Sequence, residues 1–212
     1  MDEIFTPRAG DALIVVDMQY DFMPGGALAV AGGDAIVPLV NRIAARFANV
    51  VLTQDWHPPG HASFASSHPG AKPFDTIRLA YGDQVLWPDH CVQKSRGAEL
   101  HHGLDIGQAI LVLRKGANRD VDSYSAFVEA DGASKTGLAG FLRERGIGRV
   151  FLCGLATDYC VGFSALDARS AGFDALVIDD ACRAIDMAGS LAAAWAKMEA
   201  AGVRKISAAQ IG

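Results

Sequence analysis

The chain has few cysteines, no long apolar stretch and no cluster of basic residues. Its four cysteines are too few for the disulfide framework of a small secreted protein. The first eight residues, MDEIFTPR, lack the basic start and apolar stretch of a signal peptide. No apolar run approaches the ~20 residues that cross a bilayer. The formal net charge is −5 and no basic run exceeds two residues, so the positive surface that nucleic acid requires is missing. We therefore expect a cytoplasmic protein that binds neither nucleic acid nor membrane.

Apolar side chains, in contrast, are abundant enough for a large core. Of the 212 residues, 50% are hydrophobic and 20% are charged, and the mean hydropathy is +0.19. This composition excludes disorder as the main state. The length favours one large domain over two small ones, and no repeat, linker or low-complexity tract divides the sequence. We expect a single domain over residues 1–212.

Short apolar runs alternate with longer helical patterns. Runs typical of buried strands lie at residues 12–16, 50–53, 109–113, 150–153, 175–178 and 203–206. Helical patterns lie at residues 36–47, 137–145, 158–171 and 190–201, with Asp34 and Thr157 as candidate N-caps. This alternation predicts a three-layer α/β/α domain with a mostly parallel central sheet. The stretch 57–102 has no sustained period and is predicted to be a long functional loop.

Polar side chains of catalytic type follow four of the predicted strands. Asp17 comes after the first strand, Asp55 and His57 after the second, Lys115 after the third, and Cys160 after the fourth. Ligands of open α/β sheets bind beyond the carboxyl ends of the strands. Each residue alone is a weak signal, but together they predict a site at this edge of the sheet.

Cys160 is the candidate nucleophile, with Asp17 and Lys115 as its partners. It lies about one turn into a helix predicted to begin near Thr157, where free N–H groups and the helix dipole favour a thiolate or an oxyanion. Asp17 could take the thiol proton, and the Lys115 ammonium could favour the thiolate. The ordinary alternatives are a buried packing cysteine, a turn aspartate and a surface lysine.

The other three cysteines give weaker signals. Cys153 lies within a predicted strand, and Cys182 follows two acidic residues that discourage a thiolate, so we expect both to pack in the core. Cys91 follows a histidine, which leaves a minor metal role open, although packing again explains it better.

Asp55, His57 and His90 supply one oxygen and two nitrogen ligands. That is the composition of an open catalytic site for Zn²⁺, Fe²⁺ or Mn²⁺. His61 follows His57 by four residues, but the prolines between them exclude the helix that would align the two rings. The other histidines have no ligand spacing and are expected at the surface: His68, His101 and His102.

Five segments of the chain together resemble a known family. They are VVDMQYDF at 15–22, QDWH at 54–57, WPDHC at 87–91, KG at 115–116 and GLATDYCV at 154–161. They are similar to the bacterial nicotinamidases, of pyrazinamidase type, within the isochorismatase-like cysteine hydrolase superfamily. The match runs in order from about residue 11 to residue 207. The strand-end Asp, Lys and Cys mark the superfamily, whereas DWH and WPDHC mark the narrower branch with a metal site.

The resemblance implies the isochorismatase-like hydrolase fold and a catalytic triad. Cys160 would be the nucleophile, Asp17 the general acid and base, and Lys115 the third member. The backbone N–H groups of Ala156 and Cys160 would hold the oxyanion, beside a cis peptide bond between Leu155 and Ala156.

The same resemblance implies one divalent metal ion bound by Asp55, His57 and His90. Zinc is expected first, with iron or manganese as the alternatives. Some family members add a ligand just before the phenylalanine of the following loop, and that position is Ser63 here, a poor ligand. We therefore expect three protein ligands completed by water, and whether His61 or Ser63 touches the metal stays open.

The implied substrate is nicotinamide, its ring walled by Phe22, Trp87 and Tyr124. The reaction would convert nicotinamide and water to nicotinate and ammonia through a thioester, as in NAD salvage, with pyrazinamide as a further substrate. Two other functions stay open. One is a metal-free superfamily hydrolase of another small amide or ureide, and the other is a non-catalytic scaffold with a structural metal. The oligomeric state also stays open, a homo-oligomer included.

Overall fold

The structure of the protein, a computed structural model, describes residues 3–105 and 107–212. Met1, Asp2 and Ile106 lie outside the described residues, and so does the start of the domain predicted over residues 1–212. No helix among the described residues is both long enough and apolar enough to span a bilayer.

Six of the eight strands in the described part of the chain form one parallel sheet. The strands are β1 (Asp11–Val16), β2 (Val50–Asp55), β3 (Thr76–Leu79), β4 (Gly82–Val85), β5 (Ala109–Lys115), β6 (Arg149–Leu155), β7 (Asp174–Arg183) and β8 (Arg204–Ile206). The sheet has the order β5-β2-β1-β6-β7-β8, and every neighbouring pair runs parallel. These six strands lie at the six predicted runs, which confirms the predicted mostly parallel sheet.

Four helices connect the strands of this sheet. They are α1 (Val37–Ala44), α2 (Leu138–Glu144), α3 (Gly162–Ser170) and α4 (Ser190–Ala200). The chain moves towards β5 after β1, and towards β8 after β5. Because such crossovers are right-handed, the two sets of connections cover opposite faces of the sheet and produce three layers. The apolar run of β1 is buried along its whole length for this reason, and each such Val, Leu or Ile stabilises the fold by about 2 kcal/mol.

The predicted long loop contains a short hairpin that the sequence pattern did not reveal. β3 and β4 pair antiparallel as a separate two-stranded sheet. Their side chains are mostly exposed or half-buried, with only Gln84 buried, so the apolar alternation that marks a strand is missing. Apart from a 3₁₀ turn at Ala65–Ser67, the rest of the stretch is irregular, as predicted.

Both predicted N-caps are wrong. Asp34 begins a short 3₁₀ helix, Asp34–Ile36, which leads into α1 without a side-chain cap, and Pro38 lies in the first turn of α1. Thr157 is the first residue of a π-helical turn, Thr157–Val161, and Ala156 before it has no side-chain cap to offer. Each short turn runs directly into the following α-helix, so the cap position falls on the residue before the turn, Gly33 or Ala156, and neither has a side chain that can cap.

Candidate active site

The carboxyl ends of four neighbouring strands bring the predicted catalytic residues together. The connections after β1 and β6 leave in opposite directions, so a crevice opens between these adjacent strands. Asp17 directly follows β1, and Cys160 lies in the π-helical turn after β6. Lys115 and Asp55 are the last residues of β5 and β2 and are paired in register. We call Asp17, Lys115 and Cys160 the triad.

The Lys115 ammonium is the centre of the triad. Its Nζ lies 2.8 Å from Asp17 Oδ2 and 3.4 Å from Cys160 Sγ. It also donates to the Ser123 carbonyl at 3.0 Å and to Asp55 Oδ1. Burial works to lower the pKa of Lys115, but Asp17 and Asp55 outweigh it and raise the pKa well above its usual range. The amine is therefore a fully buried cation held between two carboxylates.

Cys160 rests as a thiol opposite an ionised Asp17 near neutral pH. Burial raises the pKa of Cys160 well above its usual range, and the effect of Lys115 does not overcome it. Burial also raises the pKa of Asp17, to about 6, against the lowering effect of Lys115. The predicted stabilised thiolate is therefore wrong for the resting site, because the sulfur is desolvated beside two carboxylates. Asp17, in turn, is poised to accept a proton near neutral pH.

Asp55, His57 and His90, which we call the ligand group, have their metal-binding atoms facing one another. Asp55 Oδ2 lies 3.6 Å from His57 Nε2 and 3.9 Å from His90 Nε2. The Nδ1 atoms of the two rings contact the carbonyl oxygens of Gly116, at 3.0 Å, and Pro88, at 2.9 Å. Since a carbonyl only accepts, each Nδ1 carries the proton and each Nε2 presents its lone pair. This arrangement fits a divalent ion of the Zn²⁺, Fe²⁺ or Mn²⁺ type.

The electrostatics of the ligand group also suit a cation. Burial works to raise the pKa of Asp55, but Lys115 and His57 outweigh it and hold the pKa below its usual range. Burial lowers the pKa of His90 to about 4, and His57 adds to the effect. Burial also works to lower the pKa of His57, but Asp55 raises it overall. An ionised Asp55 and a neutral His90 are the forms that bind metals.

His61 packs on His57 even though no helix aligns the two residues. Their ring centroids are 4.3 Å apart, and both residues belong with Asp122 to a second cluster whose ligand-type atoms lie within 4.8 Å of one another. Both ring nitrogens of His61 are engaged, Nδ1 with Ser63 Oγ at 2.7 Å and Nε2 with the Val121 carbonyl at 3.3 Å. His61 and Ser63 thus bond to each other beside the ligand group.

A small cavity adjoins both the triad and the ligand group. Cys160, Asp55, His57 and His90 line it, and so do all three predicted ring contacts, Phe22, Trp87 and Tyr124. Five further lining residues were missed in the sequence: Leu28, Asp122, Ser123, Tyr159 and Ile185. Tyr159 could have been found from its place beside Cys160. The others carry no motif and reach the cavity only through loop geometry.

Hydrogen bonds hold the aromatic wall of this cavity. Trp87 Nε1 donates to the Tyr124 hydroxyl at 3.0 Å, and Gln84 Nε2 donates to the same oxygen at 3.1 Å. The Tyr159 ring meets the Trp87 ring edge-on, with centroids 4.9 Å apart. Gln84 comes from the β3–β4 hairpin, so this hairpin buttresses the wall.

The predicted oxyanion donors flank the nucleophile. The Leu155–Ala156 peptide bond is cis, as the resemblance implied. Ala156 and Cys160 are both buried and both line the cavity. Their backbone N–H groups lie at the start and in the body of the π-helical turn, the region where a carbonyl oxygen of a substrate on Cys160 would be placed.

The remaining cysteines and histidines lie outside this cavity. Cys91, Cys153 and Cys182 are buried and free, and burial raises the pKa of each, in keeping with a packing role. His102 is exposed, as predicted. His68 and His101 are half-buried instead, and His68 Nε2 contacts the Ala62 carbonyl at 2.8 Å.

A wider groove of about 810 Å³ lies on the outer side of Tyr124. Its walls come from the hairpin, from residues 124–143 and from α3, and no member of the triad or the ligand group lines it. The smaller inner cavity is therefore the candidate active site, since it combines concavity with convergent reactive groups.

Residues 11–210 match the isochorismatase domain family. A nicotinamidase of Acinetobacter baylyi is 58% identical over 200 residues, which cover 94% of this chain and 94% of that protein. A solved nicotinamidase/pyrazinamidase of Acinetobacter baumannii has a TM-score of 0.95 and 54% identity, covering 95% of this chain and 98% of the other. A pyrazinamidase of Pyrococcus horikoshii, solved in complex with zinc, has a TM-score of 0.77 and 38% identity, covering 93% of this chain and 99% of the other. The similarity thus extends over nearly the whole chain.

Proposed function

The chain belongs to the isochorismatase domain family, and from this premise we propose that it hydrolyses nicotinamide to nicotinate and ammonia. One observation carries the proposal, namely that the triad and the ligand group adjoin the same small cavity and share Asp55 as a neighbour. A nucleophile for an amide carbon and donor atoms for a cation are thus within one small molecule's reach.

The triad performs acyl transfer through a thioester. The Cys160 thiol gives its proton to Asp17 as the sulfur attacks the carboxamide carbon. The N–H groups of Ala156 and Cys160 stabilise the oxyanion. Asp17 returns the proton to the departing nitrogen, which leaves as ammonia. A water molecule then hydrolyses the thioester, giving nicotinate and restoring the thiol. The Lys115 cation holds the Asp17 carboxylate and stabilises negative charge on the sulfur during the attack.

The ligand group holds one divalent metal ion, for which zinc is our first assignment, with iron and manganese as the alternatives. Support comes from the donor set, the ring tautomers and the zinc in the Pyrococcus horikoshii relative. When bound, the ion supplies a Lewis-acidic position for the ring nitrogen of the substrate. Asp55, His57 and His90 fix that position relative to the Cys160 sulfur.

The cavity walls suit a flat heteroaromatic ring. Phe22, Trp87 and Tyr124 offer apolar surface around it, and Tyr159 completes the aromatic side. Pyrazinamide has the same carboxamide on a ring that keeps a nitrogen, so it is a second substrate. We further propose that the protein works in the cytoplasm in NAD salvage, without nucleic acid or membrane as a partner.

An assay for ammonia release, combined with metal analysis, tests the function. Nicotinamide and pyrazinamide should yield one ammonia per carboxylate formed, and the purified protein should contain about one divalent ion per chain. A metal-free hydrolase of another amide would release no ammonia from nicotinamide and contain no bound ion. A non-catalytic scaffold would contain the ion but release no ammonia, and the buried triad would then have no catalytic role.

A further inference from the structure

The hydroxyl of Thr53 touches Asp17 at two places. Its Oγ1 accepts the backbone N–H of Asp17 at 3.1 Å and contacts Asp17 Oδ1 at 2.6 Å. Thr53 is fully buried in β2, beside the end of β1. No sequence pattern indicated this role, because a threonine within an apolar run is simply a good strand former.

The direction of these hydrogen bonds is fixed by the backbone N–H of Asp17 and by the charge of its carboxylate. A hydroxyl has one proton to donate, and an amide N–H can only donate. An ionised Asp17 carboxylate can only accept, so the Thr53 hydroxyl donates its proton to Oδ1 while Oγ1 accepts the Asp17 N–H. In the ionised side chain Oδ1 is therefore occupied by the Thr53 proton, which leaves Oδ2 as the oxygen that takes up a proton.

Asp17 Oδ2 is placed to exchange that proton. Among the described residues it accepts no hydrogen bond apart from its ion pair with Lys115. It lies 2.8 Å from Lys115 Nζ, and the carboxylate and the Cys160 sulfur belong to one cluster with atoms within 4.8 Å. The Lys115 ammonium occupies one lone pair of Oδ2, so a second lone pair is available for the transferred proton.

We propose that Thr53 is a positioning residue that reserves Asp17 Oδ2 as the site of proton exchange with Cys160 and the leaving nitrogen. On attack, the S–H bond of Cys160 breaks and an O–H bond forms on Oδ2. On expulsion of ammonia, that O–H bond breaks and an N–H bond forms. Thr53 keeps its proton throughout. The inference rests on the proposed function, because it assigns a supporting role within the same triad.

Thr53 also holds the backbone of Asp17, so a test must separate the two roles. Asp17 has φ +48°, a left-handed conformation that is unusual for a residue other than glycine. Thr53→Val keeps the side-chain shape but removes both contacts. Thr53→Ser keeps the hydroxyl and loses only a methyl group, and Thr53→Ala is the substitute if the valine variant does not fold. Thr136→Val is the matched control, since that hydroxyl donates to the Ala126 carbonyl elsewhere in the chain.

We expect Thr53→Val to lower kcat for nicotinamide about tenfold or more, the usual effect of a lost hydrogen bond to a charged group. KM should change less than about threefold, because Thr53 does not line the cavity. Thr53→Ser should recover most of kcat, and Thr136→Val should match the wild type. In an Asp17→Asn background, Thr53→Val should have little further effect, because both substitutions remove the same proton transfer.

Two results would overturn the assignment. The first is a folded Thr53→Val or Thr53→Ala variant whose kcat stays within about twofold of the wild type. The second is the same fold-loss for Thr53→Val with and without Asp17→Asn, which would make its role structural only. If the wild type releases no ammonia from nicotinamide, the proposed function fails. The role of Thr53 can then be tested separately, by the rate at which iodoacetamide alkylates Cys160. Alkylation needs the thiol proton to leave but no substrate, so Thr53→Val should slow it several-fold and Thr53→Ser should not. Equal alkylation rates would reject the inference.

Discussion

Asp55 and Lys115 end neighbouring strands at the same register, and the carboxylate of the first accepts a hydrogen bond from the ammonium of the second. Asp55 Oδ2 meanwhile faces the imidazole rings of the ligand group. One carboxylate therefore belongs to both halves of the site. Lys115 in turn pairs with two buried carboxylates, Asp17 and Asp55, and its positive charge offsets the repulsion between them.

Lys115→Ala should destabilise the protein by about 3–5 kcal/mol, because it leaves buried carboxylates without their counter-charge. Urea unfolding followed by circular dichroism measures this loss. The control is Lys205→Ala, since Lys205 pairs with Asp179 at 3.0 Å on the half-exposed surface, where such a pair contributes about 1 kcal/mol or less. Equal midpoints for the two variants would show that the buried charge cluster does not depend on Lys115.

Cys160→Ala should fold and bind metal normally yet lose ammonia release by at least about a thousandfold, because no other group can form the thioester. Cys153→Ala and Cys182→Ala should keep most of the activity, since both side chains are buried away from the cavity. A nicotinaldehyde inhibitor should form its covalent adduct on Cys160, which mass spectrometry of peptides can locate. An adduct on another cysteine, or an active alanine variant, would remove the nucleophile assignment.

Asp17→Asn should lower kcat by about a hundredfold or more with little change in nicotinamide binding, because the amide keeps the shape but cannot carry the proton. Steady-state kinetics and equilibrium binding separate the two effects. A variant that kept more than about a tenth of the wild-type rate, an effect under ~1.4 kcal/mol, would contradict a proton shuttle at this position.

The acidic limb of the pH profile should report the same carboxylate. Burial raises the pKa of Asp17 to about 6, and the ionised form is the one that accepts the thiol proton. Activity therefore requires a pH above this pKa, so kcat/KM should fall as the pH is lowered through about 6. Circular dichroism at each pH must show that the protein stays folded. A flat profile down to pH 5 in folded protein would contradict this role for Asp17.

Strand-end position predicted that Asp17, Asp55 and Lys115 would come together at one edge of the sheet, and the structure places them there. Apolar runs placed Asp17, Asp55 and Lys115 at the ends of parallel strands, and a parallel sheet brings such ends to one edge. This prediction needed no distances, because the strand order alone determines which strand ends are neighbours. The exposed strands of the hairpin gave no such pattern, and Gln84 was missed with them.

What the sequence could not provide are contacts set by register or by loop geometry. Thr53 meets Asp17 only because β2 lies beside β1 at one particular register. Leu28 and Ile185 reach the cavity from loops that carry no periodic signal. The ionisation of Cys160 was misjudged for a related reason. Helix position suggests a thiolate, but burial, which depends on the whole fold, decides in favour of the thiol.

Removing the metal should weaken binding of the substrate ring rather than unfold the chain. The ligand group has one oxygen and two nitrogen donors, which leaves coordination positions open for the pyridine nitrogen. Chelation or His57→Ala should therefore raise the Kd of nicotinamide and of nicotinate roughly tenfold or more, a loss of about 1.4 kcal/mol. His68→Ala is the matched control. In the described part of the chain, the hydrogen bond of this half-buried histidine goes to a backbone carbonyl, that of Ala62.

Benzamide separates ring orientation from the other possible roles of the metal. It has the carboxamide and the ring shape of nicotinamide but no ring nitrogen, so it should be a poor substrate with or without metal. A purely structural metal predicts instead that chelation lowers activity only in step with lost structure, which circular dichroism recorded alongside the assay would reveal. If the chelated protein stays folded and hydrolyses nicotinamide at the full rate, ring orientation by the metal is wrong. The triad would then act without a metal, and the ligand group would have to be explained as a buried polar cluster.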